Sequence, residues 1–257
     1  MTCCVPPEKK LQGYHRIMSP LRSFRGAFND DCITGITALR RYFYDSVYFR
    51  ILVIVTVIGF FLRLYRLGDF SLWLDEALTY EYARYSFFSL LNLSTDTVNP
   101  ALFYWIEYFM LKTGNNEWTL RLFPAIIGTL TIPILYVAGK EFFDEKTGFI
   151  AAALLTFSSF HIYYSQVARS YSLLVFLFLI ALVCYLDALR RNSARSWLLF
   201  GFIAALSCWT HYFMFVMVFP LFLYAFTDRV WYFKEKISDT RSLFPGTLLF
   251  VVLSAPV

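Results

Sequence analysis

The sequence has 257 residues, and its composition is that of a membrane protein. Apolar residues make up 58% of it, only 16% are charged, and the mean hydropathy is +0.55, whereas about a quarter of a soluble domain is charged. The net charge of +5 comes from basic residues in short segments between apolar runs, which is the pattern of cytoplasmic loops. We therefore exclude a nucleic-acid-binding protein and expect no nucleic acid among its partners.

The chain divides into a polar start and an apolar remainder. Residues 1–48 are basic, and we predict a cytoplasmic leader there, because the first apolar run starts too late for a cleavable signal peptide. Residues 49–257 form the predicted transmembrane domain, an all-α bundle of membrane-spanning helices. Because the last apolar run reaches residue 257, we expect this bundle to be incomplete at its C-terminus. Runs near the roughly 20 residues that cross a bilayer cover 49–67, 120–139, 149–164, 171–189, 197–211, 212–226 and 244–257.

The positions of lysine and arginine predict the orientation. The polar segments 139–147, 190–196 and 228–243 carry basic residues, and basic loops favour the cytoplasmic side. All of them lie inside with the leader if segment 101–111 does not cross the membrane. Residues 68–119 then form one long, acidic outer loop that contains horizontal helices. In the alternative topology, segment 101–111 crosses and residues 190–196 lie outside.

Two adjacent carboxylates, Asp75 and Glu76, follow the first span in the sequence WLDEA. Charged groups beside a bilayer are costly and need partners or a wet pocket. A carboxylate here can act as general base towards an acceptor hydroxyl, or it can help to hold a divalent metal ion beside a phosphate. Such a pair is also common as a simple helix cap. No cofactor is certain from the sequence, and a divalent metal ion is the one candidate.

The predicted topology brings other polar side chains to the same side of the membrane. Asn99 lies in the outer loop, Arg169 in the next outer turn, and His211 at the outer end of a later span. An arginine can hold a phosphate through two hydrogen bonds, and a histidine can bind phosphate, ligate a metal or exchange a proton. Each of them alone also has a structural explanation, as a headgroup anchor or a packing residue. Glu107 and Glu117 are expected to face water or lipid headgroups.

Five stretches occur in a specific order along the chain. They are WLDEA at 73–77, NPALFYW at 99–105, EWTLRLFPAIIGTLTIPILY at 117–136, SSFHIYYSQVARSYSLL at 158–174 and WTHYF at 209–213. This ordered set resembles the membrane glycosyltransferases of the GT-C fold. It looks most like the dolichyl-phosphate-mannose–protein mannosyltransferase family, in its broad prokaryotic branch that includes the lipid A aminoarabinose transferases. The resemblance runs from about residue 49 to the end of the sequence.

The resemblance implies that the chain uses a polyprenyl-phosphate sugar on the outer face. It implies that Asp75 is the essential carboxylate, with Glu76 beside it as the second catalytic candidate. The family usually has a histidine or lysine where this chain has Asn99, and an acidic residue where it has Val167, which bears on the substrate more than on the fold. The predicted substrate-binding residues are Asn99, Arg121, Arg169, Tyr171, His211 and Tyr212.

We therefore predict an integral membrane glycosyltransferase that moves a sugar from a polyprenyl-phosphate donor to a hydroxyl of a protein or lipid acceptor. The predicted location is the cell membrane, with several spans, the active site on the outer face and the lipid bilayer as a partner. Two rival interpretations are a polytopic transporter or lipid flippase, since intramembrane acids suit transport as well, and a non-catalytic fragment. Against transport, we find no inverted repeat between the two halves, and the residues capable of chemistry share one face.

Overall fold

The structure, a computed structural model, describes residues 47–85, 89–90, 100–227 and 241–255. None of these residues lies in a strand, so the predicted all-α fold is confirmed. The helices are α1 Val47–Leu64, α2 Leu74–Ala83, α3 Leu102–Met110, α4 Glu117–Phe142, α5 Glu145–Phe157, α6 Ser159–Ser165, α7 Tyr171–Arg191, α8 Ala194–Cys208, α9 Phe213–Thr227 and α10 Leu243–Ser254.

The chain divides into two compact units, Met1–Arg50 and Ile51–Val257. Nearly all of the predicted leader 1–48 lies outside the described residues, so the leader and its boundary stay predictions. The description below concerns the second unit.

Three of the described helices, α1, α4 and α7, are long and apolar enough to cross a membrane. Three shorter apolar helices, α8, α9 and α10, follow them. Large apolar side chains on α1 and α9 face outwards, for example Ile54, Phe61 and Phe219, which are 60 to 65% exposed. Such a surface suits contact with lipid rather than water. The protein is therefore a helical membrane bundle.

One predicted span, 149–164, is not a single helix. The chain breaks at Ser158, which has an extended backbone (φ −66°, ψ 112°) between α5 and α6. The Ser158 hydroxyl accepts a hydrogen bond from the backbone N–H of His161 at 3.3 Å, so this serine caps the N-terminus of α6. The apolar pattern continues across the break, which is why hydropathy alone predicted one element.

The helices between α1 and α4 are too short to cross a bilayer. α3 has 9 residues and is therefore about 14 Å long, less than half of the roughly 30 Å hydrocarbon core. α2 has 10 residues. These lengths agree with the topology in which segment 101–111 does not cross, while the horizontal orientation of α2 and α3 stays a prediction.

Glycine lets two pairs of helices approach closely. α4 packs on α5 where Gly139 meets Gly148, and α8 packs on α10 where Gly201 meets Gly246. A Cβ atom on Gly246 would overlap the backbone carbonyl of Trp197. Because lipid supplies no hydrophobic force between helices, such close contact is a main source of their association.

Trp209, in the turn after α8, connects three parts of the bundle. Its backbone carbonyl accepts a hydrogen bond from the N–H of Leu102 at 3.1 Å, at the start of α3. Its ring stacks on that of Trp105, with the ring centroids 5.5 Å apart. Its Nε1–H donates to the carbonyl of Leu253 in α10 at 2.7 Å. The turn that carries His211 is therefore fixed against both α3 and α10.

We expect Gly246→Val to lower the free energy of unfolding by about 1–3 kcal/mol, because added methyl groups would force α8 and α10 apart. Thermal unfolding of the purified protein in detergent measures the change. The matched control is Leu248→Val on the same helix, where the side chain is 51% exposed and the loss is small. Equal unfolding midpoints for Gly246→Val and the wild type would contradict the close crossing.

Candidate active site

Arg121 of α4 organises the loop that follows α1. Its side chain is 7% exposed and pairs with Glu76 of α2, with Nε donating to Oε1 at 2.8 Å and Nη2 donating to Oε2 at 2.6 Å. The other N–H groups donate to the backbone carbonyls of Leu67, Phe70 and Ser71 at distances between 2.9 and 3.2 Å. All five N–H donors of the guanidinium are used, which a lysine with three donors cannot reproduce.

Glu76 connects α2 to the turn between α6 and α7. It is 1% exposed, and its Oε1 accepts a second hydrogen bond from the backbone N–H of Ala168 at 2.8 Å. Its Oε2 also receives the backbone N–H of Trp73 at 3.4 Å, which caps the start of α2. A buried carboxylate with this many donors is well paired. The geometry of Glu76 is that of a residue that positions its neighbours.

Asp75 has the opposite environment, although it is the adjacent residue. Its side chain is 34% exposed, and its Oδ2 lies 4.0 Å from Nη2 of Arg169. Successive residues on a helix point about 100° apart, so Asp75 faces away from the buried pair that holds Glu76. Its backbone carbonyl accepts a hydrogen bond from Oγ1 of Thr79 at 3.0 Å. Asp75 is thus the carboxylate of the pair that a ligand can reach.

Arg169 lies in the turn between α6 and α7, and its side chain is 13% exposed. Its Nη1 also donates to the backbone carbonyl of Asp75 at 3.4 Å. Together with Phe103, Tyr104 and Ser170 it lines a narrow crevice. A guanidinium at the edge of a crevice, beside a partly exposed carboxylate, is suited to an anionic ligand.

His211 occupies the turn between α8 and α9. Its Nδ1 accepts a hydrogen bond from the backbone N–H of Phe213 at 3.1 Å, so Nε2 is the nitrogen that carries the proton in the neutral ring. Burial, and then the positive charge of Arg169, lower the pKa of His211. Arg169 is therefore the neighbour that Asp75 and His211 share.

The remaining predicted site residues are less informative. Tyr171 begins α7, and its ring meets that of Tyr164 edge to face at 5.0 Å. Tyr212 follows His211 in the same turn. The binding roles of both tyrosines stay predictions. Asn99 lies outside the described residues, so its predicted role also stays open.

Three residues outside the predicted site hold the turn with Arg169 in place. The side-chain amide of Gln166 donates to the backbone carbonyls of Arg63 at 3.1 Å and Tyr65 at 2.8 Å, at the end of α1. Arg63 is 0% exposed, and its Nη2 lies 2.9 Å from Nδ1 of His161. The sequence does carry a signal for Arg63, because a cation inside an apolar span is a candidate functional residue.

The expectation that Glu107 faces water or headgroups is wrong. Its side chain is 0% exposed, and within the part of the chain that the structure describes neither carboxylate oxygen has a hydrogen-bond partner. Burial raises the pKa of the Glu107 carboxyl well above its ordinary value, which favours its neutral form. The prediction failed because the sequence of an aromatic segment with a single acid does not show whether that side chain faces solvent or the protein interior.

The possible divalent metal ion stays a prediction. Among the described residues, no group of three or more His, Cys, Asp and Glu side chains could hold a metal ion. Asp75 is the one member of the acidic pair with exposed oxygen, since Glu76 is committed to Arg121.

The sequence matches the family described as dolichyl-phosphate-mannose-protein mannosyltransferase over residues 98–257. This region is more than half of the chain and contains Arg121, Arg169 and His211, whereas Asp75 and Glu76 precede it. No curated protein matches the sequence. No solved structure matches it either.

We expect Arg121→Met to lower the free energy of unfolding by about 3–5 kcal/mol, because it leaves the buried carboxylate of Glu76 without its cation. Arg121→Lys should fall between Arg121→Met and the wild type, since lysine restores the charge but not the fork of donors. Denaturant titration of the detergent-solubilised protein measures these differences.

The control for Arg121→Met is Asp69→Asn. Asp69 pairs with Arg66 at 2.6 Å, but both side chains are about half exposed, at 50% and 53%. A surface pair contributes little, so this variant should unfold like the wild type. If Arg121→Met and Asp69→Asn unfold alike, the buried pair does not hold the loop.

Proposed function

Because the chain belongs to the dolichyl-phosphate-mannose-protein mannosyltransferase family, and is therefore a membrane glycosyltransferase, we propose that it moves a sugar from a polyprenyl-phosphate donor to a hydroxyl of a protein or lipid acceptor. The transfer takes place at the outer face of the cell membrane, which the chain crosses several times. The lipid tail of the donor then lies in the bilayer, with its phosphate at the surface and its sugar in the site.

The observation that carries this proposal is the contrast between two adjacent carboxylates. Glu76 is 1% exposed and bound by Arg121, whereas Asp75 is 34% exposed and, within the described ranges, its cationic neighbour is the more distant Arg169. A general base must be able to approach the proton that it removes, and it must not be neutralised by a tight ion pair. Asp75 meets both conditions. Glu76 and Arg121 act as positioning residues that fix the helix carrying Asp75.

The reaction is a displacement at the sugar. The acceptor oxygen forms a bond to the anomeric carbon, and the bond from that carbon to the phosphate oxygen breaks. The polyprenyl phosphate leaves with the electron pair of the broken bond, and the acceptor proton goes to Asp75. Negative charge increases on the phosphate as it leaves, so a cation beside it stabilises the transition state.

Arg169 supplies that cation. It lies 4.0 Å from Asp75 and can offer two parallel N–H donors to phosphate oxygens. His211 is neutral at neutral pH, because burial and Arg169 lower its pKa, and its Nε2–H is a second donor for the phosphate. The proposed base and the proposed phosphate-binding cation are thus close enough to act on one bound donor.

We expect Asp75→Asn to lower the turnover number for sugar transfer by about 10²–10⁴-fold, because the general base is lost while the shape is kept. Protein reconstituted in nanodiscs is supplied with a labelled mixture of polyprenyl-phosphate sugars, and label on protein and on lipid is counted separately. Asp69→Asn, six residues earlier and exposed, is the control and should retain activity.

The variant Asp75→Asn should also insert into membranes and unfold like the wild type, since Asp75 is not part of the buried network. Unchanged turnover in this variant would rule out the mechanism. Loss of activity together with loss of the folded state would assign Asp75 a structural role instead.

We expect Arg169→Lys to raise the KM for the donor by roughly 10–100-fold, because lysine keeps the charge but loses the two-point contact with phosphate. Initial rates at varied donor concentration measure the change. Arg191→Lys in the last turn of α7, where Arg191 pairs with Asp187 at 2.6 Å, is the matched control. An unchanged KM would show that Arg169 does not contact the donor phosphate.

A further inference from the structure

The carbonyl groups at the end of α1 are bound by a side chain from a distant part of the chain. An α-helix leaves its last four carbonyls without partners inside the helix. The side-chain amide of Gln166 donates to the carbonyls of Arg63 at 3.1 Å and Tyr65 at 2.8 Å. Its Nε2 also lies 3.4 Å from the carbonyl of Leu62. These residues are 101 to 104 positions from Gln166, so the C-terminus of α1 is capped by another part of the bundle.

The turn that Gln166 begins is held from a second side as well. Gln166 is the residue at which α6 ends, and two residues later the backbone N–H of Ala168 donates to Oε1 of Glu76 at 2.8 Å. Arg169 follows directly. The turn therefore has two attachments close to Arg169, one to the end of α1 and one to the start of α2. The attachment to α1 is the side chain of Gln166.

The contacts of the Arg169 side chain are weaker than these attachments. Its Nη1 lies 3.4 Å from the backbone carbonyl of Asp75, and its Nη2 lies 4.0 Å from Oδ2 of the same residue. A strong hydrogen bond between a guanidinium and a carboxylate measures about 2.7–2.9 Å. The place of the guanidinium is therefore determined mainly by the backbone of the turn, and Gln166 is one of the two groups that hold this backbone.

We propose that Gln166 is a positioning residue for donor binding: by attaching the turn to the end of α1, it keeps the guanidinium of Arg169 where the donor phosphate binds. The proposal rests on the proposed sugar transfer and adds a residue that acts through Arg169. A displacement of about 1 Å is enough to impair a productive contact, and two parallel hydrogen bonds to phosphate are sensitive to it. Gln166 does not itself contact the donor.

The test replaces Gln166 with methionine, which has a similar length and no donor, and with histidine, whose ring keeps one N–H donor. The full chain is studied in detergent at pH 8, where an ordinary histidine is neutral. The probes are farnesyl phosphate and farnesol, which share the isoprenoid tail and differ in the phosphate. Their dissociation constants are obtained from the rise in unfolding temperature with ligand concentration. Sugar transfer in nanodiscs is measured in parallel.

The matched control is Ser172→Ala. The Ser172 hydroxyl donates to the backbone carbonyl of Tyr164 at 3.0 Å. This hydrogen bond crosses the same turn, from α7 to α6, without touching α1. The control therefore loses a hydrogen bond of the turn and keeps the attachment that the proposal concerns.

We expect Gln166→Met to bind farnesyl phosphate about 3–10-fold more weakly and to bind farnesol like the wild type. The KM for the donor should rise by a similar factor, while kcat stays near that of the wild type. Gln166→His should retain part of the phosphate affinity, and Ser172→Ala should bind both lipids like the wild type. Equal weakening in Ser172→Ala and Gln166→Met, or equal weakening for both lipids, would show a general structural role and overturn the inference.

A double-mutant cycle decides whether Gln166 acts through Arg169. Arg169→Met should bind farnesyl phosphate no better than farnesol. In that background Gln166→Met should have no further effect on farnesyl phosphate, because no guanidinium remains to be positioned. Additive losses would mean that Gln166 acts on the ligand by another route, and the inference would be wrong.

The outcomes also separate this inference from the proposed function. If the cycle shows the expected coupling and no sugar is transferred, the inference stands and the transfer reaction fails. If sugar is transferred and Gln166→Met binds farnesyl phosphate like the wild type, Gln166 does not position Arg169. If the wild type binds farnesyl phosphate no better than farnesol, the inference is overturned.

Discussion

The ion pair between Arg121 and Glu76 is the interaction on which the rest of the site depends. Arg121 belongs to a long apolar helix, and Glu76 belongs to a helix too short to cross a membrane. Their contact joins two helices, α2 and α4, that hydrophobic packing alone would not hold in a fixed position relative to each other. Because the guanidinium also binds three backbone carbonyls, it determines the path of the chain between α1 and α2. The backbone N–H of Ala168 then attaches the opposite turn to the same carboxylate.

This arrangement explains how adjacent acids can have different tasks. One carboxylate is surrounded by donors and excluded from water, and the other is exposed because it lies on the next position of the helix. The ion pair of Glu76 is stable because it is complete, and Asp75 is available because it lies outside that pair. For the two carboxylates to differ in this way, buried Glu76 needs a rigid partner. The planar guanidinium of Arg121, with its five fixed donors, is such a partner. The exposure of Asp75 therefore depends on the buried contacts that hold Glu76 in place.

Much of the fold could be predicted from the sequence, because membrane helices are specified by length and apolar content. The positions of α1, α4 and α7 follow from those two quantities, and so does the all-α fold. Asp75 and Arg169 could be proposed as site residues from their chemistry and the predicted topology, whereas Arg121 could be proposed only from the resemblance to a family. Their geometry could not, since the contacts between Glu76 and Arg121 and between Glu76 and Ala168 join residues 45 and 92 positions apart.

Other features depended on details that the sequence pattern does not contain. The break at Ser158 interrupts no apolar run, and it is visible only in the structure, from the extended backbone of Ser158 and the hydrogen bond that the backbone N–H of His161 donates to its hydroxyl. From the sequence, Glu107 is expected to face water or headgroups, but the structure buries it. Among the described helices, α3 packs against α2 and α4, and a sequence does not show which face of a short helix is covered.

The large separation in sequence between Glu76 and its two partners, Arg121 and Ala168, has a consequence for how the protein is made. Residues are synthesised and inserted in chain order, so the segment with both carboxylates enters the membrane before its partners exist. Before α4 is inserted, Glu76 lacks the guanidinium of Arg121. Before the turn between α6 and α7 is inserted, Glu76 also lacks the hydrogen bond from the backbone N–H of Ala168. Contacts over such separations form late because the intervening chain must first be ordered. The nascent chain therefore carries its acidic pair through the early stages of biogenesis without the contacts that fix Glu76, and these contacts are complete only after residue 168 has been inserted.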